Sequence, residues 1–304
     1  MAAFERPRYS RRTVLGGAAA VLAAGIASPA RGHGTAAPIR AAAARDGELL
    51  ALTEDYQIRR LTVTDGRAET CGPAGITLPE DFHPHSMAAL GEVLWITGAV
   101  ELSPDRSLPA LVRADGSGAD YADLPVPDEI RSGVATSIAA VGESGLAVAV
   151  EGCPDPHLAL VTSSRLATSG DAGASWSPHP LADGLGEGYG TRLAAAGERL
   201  FAVVADGGGT QAVHTGPPGT ELAPAATATG AGRPMAAVWT EAGVVRVFSD
   251  LHGEVRESRY TPVGRALESA PECACAGEVL AIPGRAGAWI ESDADRISYR
   301  MEPR

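Results

Sequence analysis

The octapeptide Ser169-Gly-Asp171-Ala-Gly173-Ala-Ser-Trp176 decides the reading of this chain. Its spacing, S-x-D-x-G-x-x-W, is that of a tight turn ending in an anchor. The short side chains of Ser169 and Asp171 can hydrogen-bond the turn's own backbone, Gly173 can take a positive φ, and Trp176 opens the next strand by burying its ring. Three other stretches keep the frame in degenerate form: Thr215-Gly-Pro217-Pro-Gly219-Thr-Glu-Leu222, Tyr260-Thr-Pro262-Val-Gly264-Arg-Ala-Leu267 and Ala114 to Tyr121. Each has Gly at the fifth position and a large apolar residue three later.

These turns lie 21 to 31 residues after a second recurring unit, a Gly-acidic turn between two short apolar runs. That unit is centred on Gly47, Gly91, Gly142, Gly197, Gly243 and Gly277, with gaps of 44, 51, 55, 46 and 34 residues and a mean of 46. A period of this length is that of a four-stranded propeller blade. Apolar residues before each Gly-acidic turn form the innermost strand of a blade, and Val93 to Ile96, Leu146 to Val150, Phe201 to Val204 and Val244 to Phe248 form the second. Their short length and β-branched content favour strand over helix. The expected fold is all-β, a six-bladed β-propeller of four-stranded antiparallel blades. Blades are placed at about 39–78, 84–127, 133–181, 188–228, 232–271 and 272–304, forming one domain over 39–304.

The complete octapeptide resembles the Asp-box of the sialidase-like, or BNR-repeat, propellers. The resemblance covers most of the chain as architecture and one stretch as motif. It implies that Ser169, Asp171, Gly173 and Trp176 are structural, at the blade edge away from the ligand face. It also implies two functional classes, a ligand-binding or protein-interaction scaffold, or a sialidase-like glycoside hydrolase acting on acidic sugars. Binding is the preferred expectation and hydrolysis the alternative, because the Arg-Ile-Pro motif of the hydrolases is only scrambled here as Pro38-Ile39-Arg40.

The N-terminus reads as an address. Basic residues Arg6 to Arg12, including the pair Arg11-Arg12, precede an apolar run from Val14 to Ala27 and the small-residue site Ser28-Pro29-Ala30. This resembles a twin-arginine signal peptide over 1–30, followed by a linker over 31–38, and implies a secreted protein. The run is shorter than the roughly 20 residues that span a bilayer. No Lys occurs; residues 31–304 carry 21 Arg against 36 acidic residues, a charge of −15. That balance argues against a nucleic-acid partner. The expected partner is an extracellular glycan or protein bound by a monomer, and no cofactor motif is present.

Sialidase-type chemistry needs arginines that hold a carboxylate in bidentate pairs, a Tyr activated by a carboxylate, and an acid/base. Arg40, Arg131, Arg192 and Arg233 fall near the starts of innermost strands, and Glu187 and Tyr189 lie in Gly186-Glu187-Gly188-Tyr189-Gly190. Arg131, Arg192 and Arg233 are therefore the ligand-binding candidates, with Tyr189 and Glu187 catalytic if the hydrolase reading holds. His83 and His85 in Glu80-Asp81-Phe82-His83-Pro84-His85 have a spacing that could hold a divalent metal, but Pro84 restricts their convergence, and no metal site is expected. Acidic stretches between second and third strands, including Glu151 to His157, read as a solvated rim. Cys71, Cys153, Cys273 and Cys275 allow two disulfides in any of three connectivities.

Overall fold

The computed structural model describes residues 38–103, 106–116, 118–155, 161–185, 190–262, 266–270, 275, 277–292 and 296–302. All regular structure among them is strand. The first sheet is β1 (Ile39–Arg45), β2 (Glu48–Thr53), β3 (Ile58–Thr64) and β4 (Arg67–Pro73). The second is β5 (Phe82–Leu90), β6 (Val93–Ser103), β7 (Arg106–Asp115) and β8 (Gly118–Ala122). The third is β9 (Ser132–Val141), β10 (Gly145–Cys153), β11 (Ser163–Ser169) and β12 (Ser177–Asp183). The fourth is β13 (Arg192–Ala196), β14 (Arg199–Ala205), β15 (Gln211–Gly216) and β16 (Ala223–Ala228). The fifth is β17 (Arg233–Trp239), β18 (Val245–Leu251), β19 (Glu254–Thr261) and β20 (Ala266–Ser269). Last come β21 (Glu278–Ala281), β22 (Ala288–Ser292) and β23 (Ile297–Met301).

Each group is an antiparallel meander in chain order. The final three strands depart from the expected four-stranded pattern: β23 pairs with β4 through Ser298 and Arg67, so hydrogen bonding joins the first and last groups into one seven-stranded sheet beside four four-stranded ones. The first strands neighbour one another in the cycle β1, β5, β9, β13, β17, β21 and back to β1, and so surround an axis.

The core lies between sheets. Apolar clusters fill the gap between each consecutive pair; one holds Leu50, Leu52, Phe82 and Ile96, another Ala149, Leu166, Leu200 and Ala202. A further cluster, with Ile39, Leu61, Ile290 and Ile297, joins the last group back to the first. Inner strands are thus covered on both faces, which is why β10 is buried along its whole length and shows no polar alternation. Arg246 adds a tie between the last two groups, lying 4.2 Å from the Trp289 ring centroid and donating to both oxygens of buried Glu257 at 2.9 and 2.6 Å.

The deciding octapeptide forms the turn from β11 to β12 as its chemistry predicts. Ser169 Oγ donates to Asp171 Oδ1 at 2.8 Å and accepts the Gly173 N–H at 2.8 Å, while Asp171 Oδ1 accepts the Ser175 N–H at 2.8 Å. Gly173 has φ +84°, and a Cβ there would sit 2.6 Å from the Trp95 ring of the neighbouring sheet. Trp176 is only half-buried, against the cluster that contains Trp95, Ile138 and Leu146. Trp176→Ala should therefore cost about 2 kcal/mol in urea denaturation, below the roughly 3–5 kcal/mol of a fully buried ring.

The repeat slips once. The turns at Gly47, Gly91, Gly142, Gly197 and Gly243 join first and second strands, whereas Gly277 precedes the first strand β21, and the corresponding turn is at 283–287. The short gap of 34 residues marks that slip. Glu278 consequently stands at the start of an inner strand. The two-disulfide option is not realised: Cys71 is an exposed free thiol, the Cys153 thiol is buried and donates to the Asp155 carbonyl at 3.0 Å, and Cys275 is disulfide-bonded.

Candidate anion site in the central channel

In four of the inner strands the register with the second strand slips by one residue near the strand start. The skipped residues are Arg40, His85, Thr136 and Met235, in β1, β5, β9 and β17. A β-bulge leaves its extra residue out of the ladder and re-aims its side chain. Because these strands surround the axis and run the same way along it, all four bulges lie at one end of the channel. β13 and β21 begin at that end with Arg192 and Glu278.

The charges at this end act on one another. Burial lowers the pKa of His85 to about 4, helped by the positive charges of Arg40, Arg192, His83 and Arg233. Its imidazole is neutral at pH 7. Burial pulls Arg192 down to about 10, with repulsion from Arg233 next and attraction to Glu151 and Glu278 opposing it. Glu278 is raised to about 7 by burial, against the pull of Arg192, Arg40 and Arg233 and with the push of Glu54. Groups from the first, second, fourth and fifth sheets and from β21 therefore share one space.

Arg192 is clamped in it. Nε donates to the bulged Met235 carbonyl at 2.6 Å and Nη1 to the Thr191 carbonyl at 3.0 Å. Gly190 leaves room for the guanidinium, since a Cβ there would lie 2.7 Å from Nη1. Among the described residues no carboxylate lies within ion-pair distance of Arg40, Arg192 or Arg233, although the protein forms ion pairs freely elsewhere. Arg40 lies over the Tyr56 ring, 5.1 Å from its centroid, and its Nε is buried without a partner. The Glu54 Oε1 and Thr136 Oγ1 atoms are likewise buried and unpartnered. Three guanidiniums at one channel end, none in ion-pair contact with a carboxylate and with polar atoms lacking partners beside them, can hold an anion that also offers hydrogen bonds.

Of the candidates, Arg192 and Arg233 act on one another, and both join Arg40 in acting on His85 and Glu278. Arg131 does not: its side chain is exposed and is absent from the charges acting on His85, Arg192, Glu151 and Glu278, because only its backbone is used, with N–H donating to Cys153 and the carbonyl accepting from Arg106. Glu187 and Tyr189 lie outside the described residues. A bulge takes His85 out of the ladder, so the pair is not the i, i+2 pair of an unbroken strand; His83 meets Tyr56 and Glu101, and its charge also acts on His85. No group of three ligating side chains that could hold a metal occurs among the described residues. Glu151, read as part of a solvated rim, is 2% exposed. Glu278 was masked by the slipped repeat, for which the short final gap was the available signal.

No protein-family profile and no curated protein matches this chain. Solved structures do. The SapL1 lectin in complex with α-methyl fucoside matches at TM-score 0.54 and 12% identity, over 88% of this chain and 96% of that one. The Aleuria aurantia lectin in complex with Fucα1-6GlcNAc matches at 0.53 and 12%, over 88% and 97%. The Trypanosoma rangeli sialidase in complex with the inhibitor DANA matches at 0.51 and 13%, over 87% of this chain and 54% of that one. The chain shares the β-propeller fold with them, and at such identity the fold alone. No helix among the described residues is long and apolar enough to cross a membrane.

Proposed function

We propose that this chain is an exported six-bladed β-propeller of the Asp-box type that binds a small carboxylate-bearing ligand, a sugar acid in the first instance, at the bulged end of its channel. The cycle of six first strands and the six inter-sheet clusters support the blade count, with β21–β23 as a three-stranded last blade closed by β4. Export by the twin-arginine route rests on Arg11-Arg12 and the modest apolar core behind them.

The observation that carries the binding reading is that Arg40, Arg192 and Arg233 all act on His85 and Glu278 at one channel end while none of them is in ion-pair contact with a carboxylate among the described residues. Holding three cations together costs free energy through repulsion and lost solvation, and an anion offsets it with charge-assisted hydrogen bonds. Glu278 at the channel and Glu151 buried behind Arg192 are both raised to about 7 by burial. A carboxyl group with a pKa near the working pH suits proton transfer, and this favours the hydrolase as the second reading. Titration calorimetry separates the outcomes: N-acetylneuraminic or glucuronic acid should bind, and N-acetylmannosamine or glucose should not. Equal binding of acid and neutral sugars, or binding of neither, overturns the proposal, and turnover of a fluorogenic sialoside would favour the hydrolase.

A further inference from the structure

A chain of buried polar side chains crosses from the third sheet to the fourth directly behind Arg192. Glu151, near the end of β10, is buried, as are Ser164 on β11 and Thr191 immediately before β13. Thr191 Oγ1 donates to Glu151 Oε1 at 2.5 Å, and Ser164 Oγ lies 2.8 Å from Thr191 Oγ1. Thr191 has one hydroxyl proton and gives it to the carboxylate, so Ser164 is the donor to Thr191. The carbonyl of the same Thr191 accepts the Arg192 Nη1 proton at 3.0 Å. Side chain and backbone of one residue thus join the buried carboxylate to the guanidinium.

The structure assigns Glu151 as a positioning residue: through Thr191 it fixes the segment from which Arg192 reaches the channel, and its charge sets how strongly Arg192 and Arg233 attract an anion. This rests on the channel taking a carboxylate. A purely structural acceptor for the Thr191 hydroxyl could be an amide; a carboxylate here carries a desolvation cost, and its charge acts on Arg192 and Arg233. The groups that face Glu151 are Ser164 within its own sheet, Thr191 and Arg192 from the fourth and Arg233 from the fifth.

The sign follows from these neighbours. With its pKa raised to about 7 by burial, against the hydrogen bond from Thr191 and the charges of Arg192 and Arg233, Glu151 is ionised above that pH and offsets one guanidinium. Below it the carboxyl is neutral and the full positive charge faces the ligand. Anion affinity therefore rises as the pH falls through about 7. Glu278 titrates in the same range within the same channel, so wild type and variants are compared in the Glu278→Gln background as well.

The test uses the full mature chain, N-acetylneuraminic acid as probe, and phenylglyoxal, which modifies arginine without any ligand. Glu151→Gln keeps an acceptor for Thr191 and removes the charge. It should bind the acid about 3- to 10-fold more tightly than wild type at pH 8, and in the Glu278→Gln background it should lose most of the pH dependence. Arg192 in Glu151→Gln should also be modified several-fold faster at pH 8, since its pKa falls without the neighbouring carboxylate. Thr191→Val should lower affinity at every pH, with Thr191→Ser restoring it and reporting on folding. Unchanged pH profiles and unchanged Arg192 labelling in Glu151→Gln overturn the assignment. If the acid fails to bind wild type at any pH, the binding proposal falls, and the labelling of Arg192 decides the positioning role by itself.

Discussion

Alanine at position 98 is expected to destabilise the protein by about 3–5 kcal/mol or prevent folding, although glycine to alanine inside a strand is ordinarily neutral or favourable. The reason is the bulge. Gly98 sits on β6 opposite Pro84, where β5 slips to turn out His85, and a Cβ there would lie 2.1 Å from the His83 carbonyl oxygen and 2.9 Å from the Pro84 Cα. Those atoms are backbone and cannot move aside singly, so β5 and β6 must part across the pairs that hold Phe82 and Met87 in the core. Gly72→Ala on β4 is the control, because a Cβ there meets nothing within 4 Å, and its urea midpoint should stay close to wild type. Similar midpoints for the two variants would show that the bulge is not built as described.

Arg192→Gln should weaken binding of N-acetylneuraminic acid by about 2–5 kcal/mol, on the order of 30- to several-thousand-fold. The guanidinium is held at two points by the Met235 and Thr191 carbonyls, so it is already oriented before a ligand arrives. Arg192→Lys keeps the charge without the planar fork and should fall between the two. Arg131→Gln should leave affinity unchanged, since that side chain is exposed and outside the cluster. Calorimetry on these variants, with melting curves to confirm folding, checks the ordering. An Arg131 variant weakened as much as the Arg192 variant would move the site to the outer face. Folding itself should tolerate the loss of Arg192, because its removal relieves repulsion with Arg233.

What could be read before folding was the chemistry of short segments. Ser169, Asp171 and Gly173 make a turn whose side-chain hydrogen bonds close within seven residues, from Ser169 to Ser175, so most of its geometry is set locally. The Gly-acidic turns behave likewise, with Asp46 and Gly47 both at positive φ, 48° and 81°, as a two-residue hairpin requires. Repeating such turns at a near-constant interval determined strand order and the all-β class. Placing arginines near strand starts brought Arg40, Arg192 and Arg233 to one end of the ring, because an inner strand's start always faces the same end.

Everything that depended on which way a side chain turns was decided by tertiary packing. Spacing by two put His83 and His85 on one side, and the slip opposite Gly98 sent them to different neighbours. Arg131 and Arg192 look equivalent in sequence, yet one follows a loop that leaves it in solvent and the other is drawn across to a bulge carbonyl on the next sheet. Burial of Glu151 depends on how the third and fourth sheets pack, and entry of Glu278 into the channel on how the last strands close back on the first sheet. Each slipped register lies within a hairpin of neighbouring strands; local propensity fixes where a strand begins, and the packing of the ring determines which residue is squeezed out of its ladder.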